Sequence, residues 1–420
     1  MIAIENIYLI LIIYILKETF EYTLQFLNLG YMKRFGSIIP DVFKGKINES
    51  HVQKMRAYEI EKTKFSFISS IFGNAVTIIF IFGGLLNIYD DWISSFNFSF
   101  ILSGVFFFLF LSYANTLLTI PFSLYNIFRI ENKYGFNTMT IKLWFADFLK
   151  SILLSTVITG ILLFIGFLLI QLSPTIWWFW LWIFFLIYSL FIMYISPYVI
   201  EPLFNKFSPI EEKVLEDRIK DLMKKINIRV SSVFKMDASK RSRHTNAYFT
   251  GIGKVKRIIL YDTLLEKMNH DEILAILAHE AGHWKKKHVL KMIVASETLA
   301  FIAIYLSFRI LSADFLTDIF QIKNATFFTK VLLLGFMGNI ISLPFLPISN
   351  YFSRRFEKEA DRFACKLTGD KEAFKSALIK LSIDNLSNLH PHPFYAAFYY
   401  SHPPVIQRIK EIENFPKLSS

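Results

Sequence analysis

The sequence predicts an all-α, multi-pass membrane protein of about seven transmembrane helices, with a small β-hairpin or sheet in its polar part. Three observations predict it: an apolar composition, apolar runs of membrane-crossing length, and two polar blocks that interrupt them. Of the 420 residues, 54% are hydrophobic and 17% aromatic, and the mean hydropathy is +0.41, well above that of an ordinary soluble domain. Six stretches are long enough to cross a hydrocarbon core of about 30 Å. They are Phe65 to Leu86, Phe100 to Ile120, Phe148 to Leu172, Thr175 to Ile195, Val289 to Leu311 and Val331 to Tyr351. A seventh, Ile4 to Phe26, carries Glu5, Glu18 and Glu21 and lacks both a basic start and a small-residue cleavage site. It is expected to remain in the protein rather than be removed as a signal peptide.

The formal charge of +12 would suggest nucleic acid in a soluble protein, but here it follows the positive-inside bias of membrane proteins. Lys33, Arg34, Lys44, Lys46, Lys54, Arg56, Lys62 and Lys64 lie between the first two spans, and Arg129, Lys133 and Lys142 lie in the third connection. Alternate connections hold little base: Asp90 and Asp91, then Ser173 and Pro174, then Asp314, Asp318 and Lys323. Seven spans with the N-terminus outside and the C-terminus cytoplasmic satisfy this pattern, and no nucleic-acid partner is expected. Arg309, near the outer end of span six, is placed to snorkel or to face internal water. The single cysteine, Cys365, excludes an intramolecular disulfide framework and any site built from several thiolates.

The chain divides into four parts: 1–200 with spans one to five, a polar block 201–288, spans six and seven over 289–352, and a second polar block 353–420. Both polar blocks fall on the same, cytoplasmic side. The first block opens with an expected helix, Ile210 to Ile226, then strand candidates Arg229 to Met236, Ala247 to Thr250 and Arg257 to Tyr261. Gly251-Ile252-Gly253 marks a turn between the last two. Asn269-His270-Asp271-Glu272 then reads as a helix start with a capping box, and the helix is expected to continue into span six, weakened at Gly282.

That helix carries His279-Glu280-Ala281-Gly282-His283. Two histidines four apart project from nearly one helix face, a spacing that suits two ligands of a tetrahedral zinc ion. A glutamate beside the first ligand can take a proton from the attacking water and return it to the leaving amine. His288, five residues past His283, lies roughly 140° around a continuous helix and is expected to be an interfacial cation. The third ligand is expected just after span seven, where Glu357 and Asp361 stand four apart, so that one carboxylate binds the metal and the other orients a ligand histidine. Glu359 is expected to be a solvated charge. His390 and His392, flanked by Pro391 and Pro393, read as a proline-fixed loop rather than a second metal site.

Phe356-Glu357-x-x-Ala360-Asp361 with the His-Glu-Ala-Gly-His run resembles the integral-membrane zinc metalloproteases of the CAAX prenyl protease 1 type, which remove the C-terminal tripeptide of isoprenylated proteins. Further matching runs are Gly135-Phe136-Asn137, Pro202-Leu203-Phe204-Asn205-Lys206-Phe207, Asn246-Ala247-Tyr248-Phe249 and Ser401-His402-Pro403-Pro404 with Arg408. The resemblance implies one zinc ion per chain held by His279, His283 and Glu357, with Glu280 as base and Asp361 behind a ligand histidine. It further implies that Asn246 and Ala247 lie on an edge strand that pairs with substrate, that His402 donates to the oxyanion, and that Arg408 organises the site or contacts a carboxylate. Its helices would enclose a water-filled chamber with side portals, which agrees with Asn339, Pro344 and Pro347 inside span seven.

The expected substrate is a peptide or protein with a CaaX-like, isoprenylated C-terminus, met at the bilayer. The Ile, Phe and Lys bias and the ending Pro416-Lys417-Leu418-Ser419-Ser420, without a lysine-based retrieval signal, favour a bacterial inner membrane over the endoplasmic reticulum. In a bacterium, a quality-control protease without prenyl dependence is the alternative. A transporter with structural zinc would call for inverted repeats, which are not evident, and would leave Glu280 without a role. An inactive scaffold would not need the intact ligand and base positions.

Overall fold

An apolar chain in lipid must satisfy its own backbone polar groups, so its spanning segments fold as helices. The structure, a computed structural model, describes residues 2–250, 255–313, 315–322 and 325–415. Helix α1 is Ile2–Phe35, α2 is Glu49–Phe82 with Asn48 accepting from the His51 N–H at its start, and α3 is a short amphipathic helix, Leu85–Ser95. Next come α4, Phe100–Tyr125, α5, Ile141–Leu172, and α6, Trp177–Ile195. Then follow α7, Lys213–Lys224, α8, His270–Lys285, α9, His288–Leu311, and α10, Phe327–Ser342. The C-terminal helices are α11, Leu346–Thr368, α12, Lys371–Asp384, α13, Pro393–Tyr399, and α14, Val405–Glu413.

Among the described residues, six helical stretches are long and apolar enough to cross a membrane: Glu49–Phe82, Phe100–Tyr134, Ile141–Leu172, Trp177–Phe204, His288–Leu311 and Phe327–Thr368. The segment expected as a seventh span is helical over 34 residues, but carries Lys17, Glu18 and Glu21. These charges are partly compensated internally: Lys17 Nζ lies 2.8 Å from Glu18 and 3.2 Å from Glu21, and Asn74 of α2 donates to Glu18.

The principal contacts of these helices run round a ring. Helix α1 meets α2, which reaches α4 through α3 and the π-helical turn Asn126–Glu131; α5, α6, α9 and α10 follow, and α10 returns to α1. Only 6 to 22% of each apolar window is buried, less than the stripe of at least 100° that a helix packed on a solid core presents. Most residues of these apolar stretches therefore lie outside the packed core.

Four strands form a mixed sheet in the order β1-β2-β4-β3. They are β1, Phe207–Pro209, β2, Arg229–Met236, β3, Ala247–Thr250, and β4, Val255–Tyr261. β3 and β4 pair antiparallel, as the expected hairpin requires; its turn, Gly251-Ile252-Gly253, lies outside the described residues, as do Asp314, Lys323 and Pro416 to Ser420. The sequence reading missed β1, which is three residues long, and the parallel pairing of β2 with β4. The helix expected from Ile210 begins later because the Ile210 N–H bonds to Val233 O at the sheet edge.

Two breaks interrupt these helices, and the first corrects the sequence reading. Helix α8 does not continue into span six: Lys287 adopts a left-handed conformation, φ 57°, and a new helix starts at His288. Span seven bends at Leu343–Phe345, where Pro344 and Pro347 open new turns and remove backbone donors. The buried core beneath the sheet packs Ile219 and Met223 of α7 and Leu277 of α8 against Phe374 of α12 and Ile409 of α14.

Candidate active site

Helix α8 is fixed at its start by a complete capping box between Asn269 and Glu272. Glu272 is fully buried and also accepts from Ser376 at 2.6 Å and Lys380 at 2.7 Å on α12. Burial favours the neutral acid, but Lys380, Ser376 and the Asn269 N–H outweigh it and hold the carboxyl below the ordinary glutamate range. Nearly three turns on, α8 crosses α11 at close range where Gly282 has no side chain.

This crossing brings residues 279, 283 and 357 together. His279 Nε2 and His283 Nε2 are 3.2 Å apart; Glu357 Oε2 lies 3.3 Å from His279 Nε2 and Oε1 lies 3.2 Å from His283 Nε2. Among the described residues, His279, His283 and Glu357 form the group whose ligand-type atoms all lie within 4.8 Å of one another. Glu357 is buried, and its Oε2 has no hydrogen-bond partner, a costly arrangement unless another positive group completes it.

One turn along α11, Asp361 Oδ1 sits 2.8 Å from His279 Nδ1. Arg408 of α14 grips the same carboxylate with two bonds, Nε to Oδ2 at 2.9 Å and a guanidinium nitrogen to Oδ1 at 2.6 Å. The proton of His279 therefore belongs on Nδ1, and Nε2 faces Glu357. Burial opposes a charge on this imidazole, but the Asp361 and Glu357 carboxylates raise it to about 9. The Arg408 guanidinium lies 4.0 Å from Glu357 at its nearest, and its short bonds go to Asp361, with His279 Nδ1 a further 3.5 Å contact.

Beside this cluster, Glu280 lines a groove of about 740 Å³ together with His283, Trp284, Tyr248, Phe249 and Thr250. Burial raises its pKa above the ordinary value. The groove continues along Met193, Tyr194, Leu290 and Ile293 on α6 and α9, so it joins the sheet edge to the membrane helices. His402 is 61% exposed, with Nε2 3.3 Å from Glu357 Oε1. Asn246 precedes the edge strand; its Oδ1 accepts from the Ala247 N–H at 2.9 Å and its carbonyl accepts from Tyr261.

Two residues sit where the sequence reading did not put them. His288 is not an interfacial cation but is 1% exposed, stacked 4.4 Å from the Phe356 ring. Glu359 is not simply solvated but lies 3.3 Å from His288 Nε2. Both errors follow from assuming an unbroken helix, since the turn at Lys287 returns the chain beside His283. Sequence reasoning also missed Asn350 and Arg354 on α11. They bond the carbonyls of Phe398, Ala397 and Tyr400 and so tie down the segment that leads to His402. Their positions three and seven residues before Glu357, on the same helix face, were the available signal.

A ring of membrane helices, with a largely buried His-His-Glu group between two polar blocks, defines a multi-pass membrane metallopeptidase. The N-terminal part, residues 28–206, matches the family model for the CAAX prenyl protease N-terminal, five membrane helices. Residues 209–415 match the model for peptidase family M48. The chain is 32% identical over 409 residues to CAAX prenyl protease 1 of Saccharomyces cerevisiae, covering 91% of this chain and 90% of that one. It is 33% identical over 401 residues to the CAAX prenyl protease 1 homolog of Arabidopsis thaliana, covering 90% and 91%. The crystal structure of S. mikatae Ste24p superposes with a TM-score of 0.89 at 32% identity, over 97% of this chain and 98% of that one. The chain belongs to the CAAX prenyl protease 1 family.

Proposed function

We propose that this metallopeptidase holds one zinc ion per chain through His279 Nε2, His283 Nε2 and the Glu357 carboxylate, and cleaves near the C-termini of CaaX-type proteins that carry an isoprenoid. The observation that carries the metal assignment is the donor spacing. Ligands at roughly 2.0–2.1 Å from a tetrahedral ion stand about 3.3 Å from one another; the two imidazole Nε2 atoms stand 3.2 Å apart, and each faces one oxygen of the Glu357 carboxylate, His279 facing Oε2 at 3.3 Å and His283 facing Oε1 at 3.2 Å. Two imidazoles and one carboxylate are also the donor set of catalytic rather than structural zinc. When bound, the ion would acidify a water and polarise the scissile carbonyl.

The remaining work falls to side chains. Glu280, with a raised pKa and a place in the groove, accepts a proton from the water and delivers it to the departing amine. His402 donates to the carbonyl oxygen as it gains charge. Asp361 keeps the His279 proton on Nδ1, and Arg408 keeps Asp361 ionised and aligned. The free edge of β3 pairs with an extended peptide. The ladder leaves the Ala247 and Phe249 backbone groups facing outward, because Asn246 bonds Tyr261 and alternate residues follow suit.

The groove supports this substrate class. It leads from Glu280 and the sheet edge onto apolar residues of the membrane helices, which offers one continuous path for a peptide and an attached hydrocarbon chain. The basic connections support a site on the cytoplasmic face. The test compares cleavage of a farnesylated CaaX peptide with its unmodified counterpart by the purified protein, with metal analysis and a chelator control. Equal cleavage of both would overturn prenyl dependence and favour a quality-control role. In Glu280→Gln the zinc should remain and turnover should fall by about 10²–10⁴-fold; retained turnover would remove Glu280 as the base.

A further inference from the structure

The two proposed ligand histidines are supported differently. His279 has a carboxylate directly on Nδ1, 2.8 Å away. Among the described residues no carboxylate touches His283 Nδ1; instead His288 Nδ1 faces it at 3.2 Å, and Glu359 Oε2 faces His288 Nε2 at 3.3 Å. We propose that His288 and Glu359 form a proton-ordering relay that fixes the tautomer and direction of His283 for metal binding, making them positioning residues of this site. The inference rests on the reading that His283 holds zinc.

Proton positions follow from the contacts. A histidine that offers Nε2 to a metal carries its proton on Nδ1. That proton must find an acceptor, and the atom opposite is His288 Nδ1, which accepts only if His288 carries its own proton on Nε2. The Nε2 proton then meets Glu359 Oε2, which as a carboxylate can only accept. Each donor in the series Glu359, His288, His283 thus has one acceptor, and the end of the series leaves His283 Nε2 bare toward Glu357 and His279. The reversed tautomer of His288 would set two N–H groups against each other at 3.2 Å.

The setting holds this arrangement in place. His288 is 1% exposed and stacks on Phe356 at 4.4 Å with the rings 13° from parallel, so the imidazole cannot rotate freely. Phe356 and Glu359 both belong to α11, which also carries Glu357, so the relay and the third donor move as one body. Arg355 reaches Glu359 Oε1 at 3.6 Å and favours its ionised form. The left-handed Lys287 supplies the turn that brings His288 back beside its neighbour; a continuous helix would carry it away.

Two substitutions at His288 separate a relay from a space-filling role. His288→Asn places a side-chain oxygen near the position of Nδ1 and can still accept the His283 proton, although it abandons the stack on Phe356. His288→Phe keeps the stack and loses the acceptor. Zinc affinity of the full-length protein in detergent, measured by competition with a chromophoric chelator, should fall about 10–100-fold in His288→Phe and less in His288→Asn. A packing role gives the opposite order, and that order, or unchanged affinity in both, overturns the relay. Glu359→Ala, at a partly exposed position, should also weaken zinc binding at least several-fold while the metal-free melting temperature stays near wild type; unchanged affinity there removes Glu359 from the relay. If the wild-type protein itself binds no zinc, the metal assignment fails rather than the relay.

Discussion

Gly282 and Ala360 meet at the crossing of α8 and α11 so closely that a Cβ placed on Gly282 would lie 3.1 Å from Ala360 Cα and 3.2 Å from Phe363 Cβ. One helix carries His279 and His283, the other Glu357 and Asp361, so the distance between their axes sets the donor spacing. Glycine inside a helix costs about 1 kcal/mol relative to alanine; here that cost accompanies close approach. Gly282→Val should force the helices apart, destabilise the protein by about 1–3 kcal/mol and reduce zinc content. Thermal melting and metal analysis read both; retention of full zinc occupancy would show that the crossing has slack.

The Arg408–Asp361 pair tests the support beneath His279. Both partners are largely buried, with side-chain exposures of 12% and 4%, and the bonding is two-pronged. Removing one partner of such a pair leaves a buried charge alone and costs about 3–5 kcal/mol. Arg408→Met should show a loss of that order in denaturant unfolding. Lys at the same position cannot reproduce the fork and should restore only part of the loss.

Glu272 gives a pH dependence whose sign is fixed. Its folded pKa lies below the ordinary value near 4.5, so its contribution is present in full above that value and is lost as pH falls through the lower, folded one. Glu272→Gln keeps the shape but removes the charge facing Lys380, at a cost of about 1–2 kcal/mol at neutral pH, since Lys380 is 40% exposed and partly screened. The difference in melting temperature between wild type and variant should shrink as pH falls below about 4.5. A difference that grows on acidification would mean the carboxyl is not held ionised.

Features with a local signal were legible in the sequence. The apolar runs, the capping box at Asn269, the hairpin strands and the four-residue spacings of His279 with His283 and of Glu357 with Asp361 all repeat with the period of one element. Features set by distant contacts were not. The parallel partner of β4 is more than twenty residues earlier in the chain, and β1 is too short to show alternation. The left-handed turn at Lys287 carries no Gly or Pro to announce it. His288 and Glu359 were misread for that reason alone: their roles depend on where one residue sends the chain.

The outer edge of β3 offers the last test, because the ladder separates its two sets of backbone groups. Tyr248 is paired with Ile259 on β4 and its hydroxyl bonds Glu201 at 2.6 Å, whereas the Phe249 N–H points away from β4 by the alternation of an antiparallel ladder. Proline at 249 therefore deletes an outward donor without removing a bond between β3 and β4, as edge strands tolerate. If an extended peptide pairs with this edge, Phe249→Pro should raise KM about tenfold or more, the equivalent of about 1.4 kcal/mol, with melting temperature and zinc content near wild type. Phe249→Ala controls for the lost ring, which also lines the groove; a KM in Phe249→Pro no higher than in Phe249→Ala would show that the peptide does not bond to this edge there.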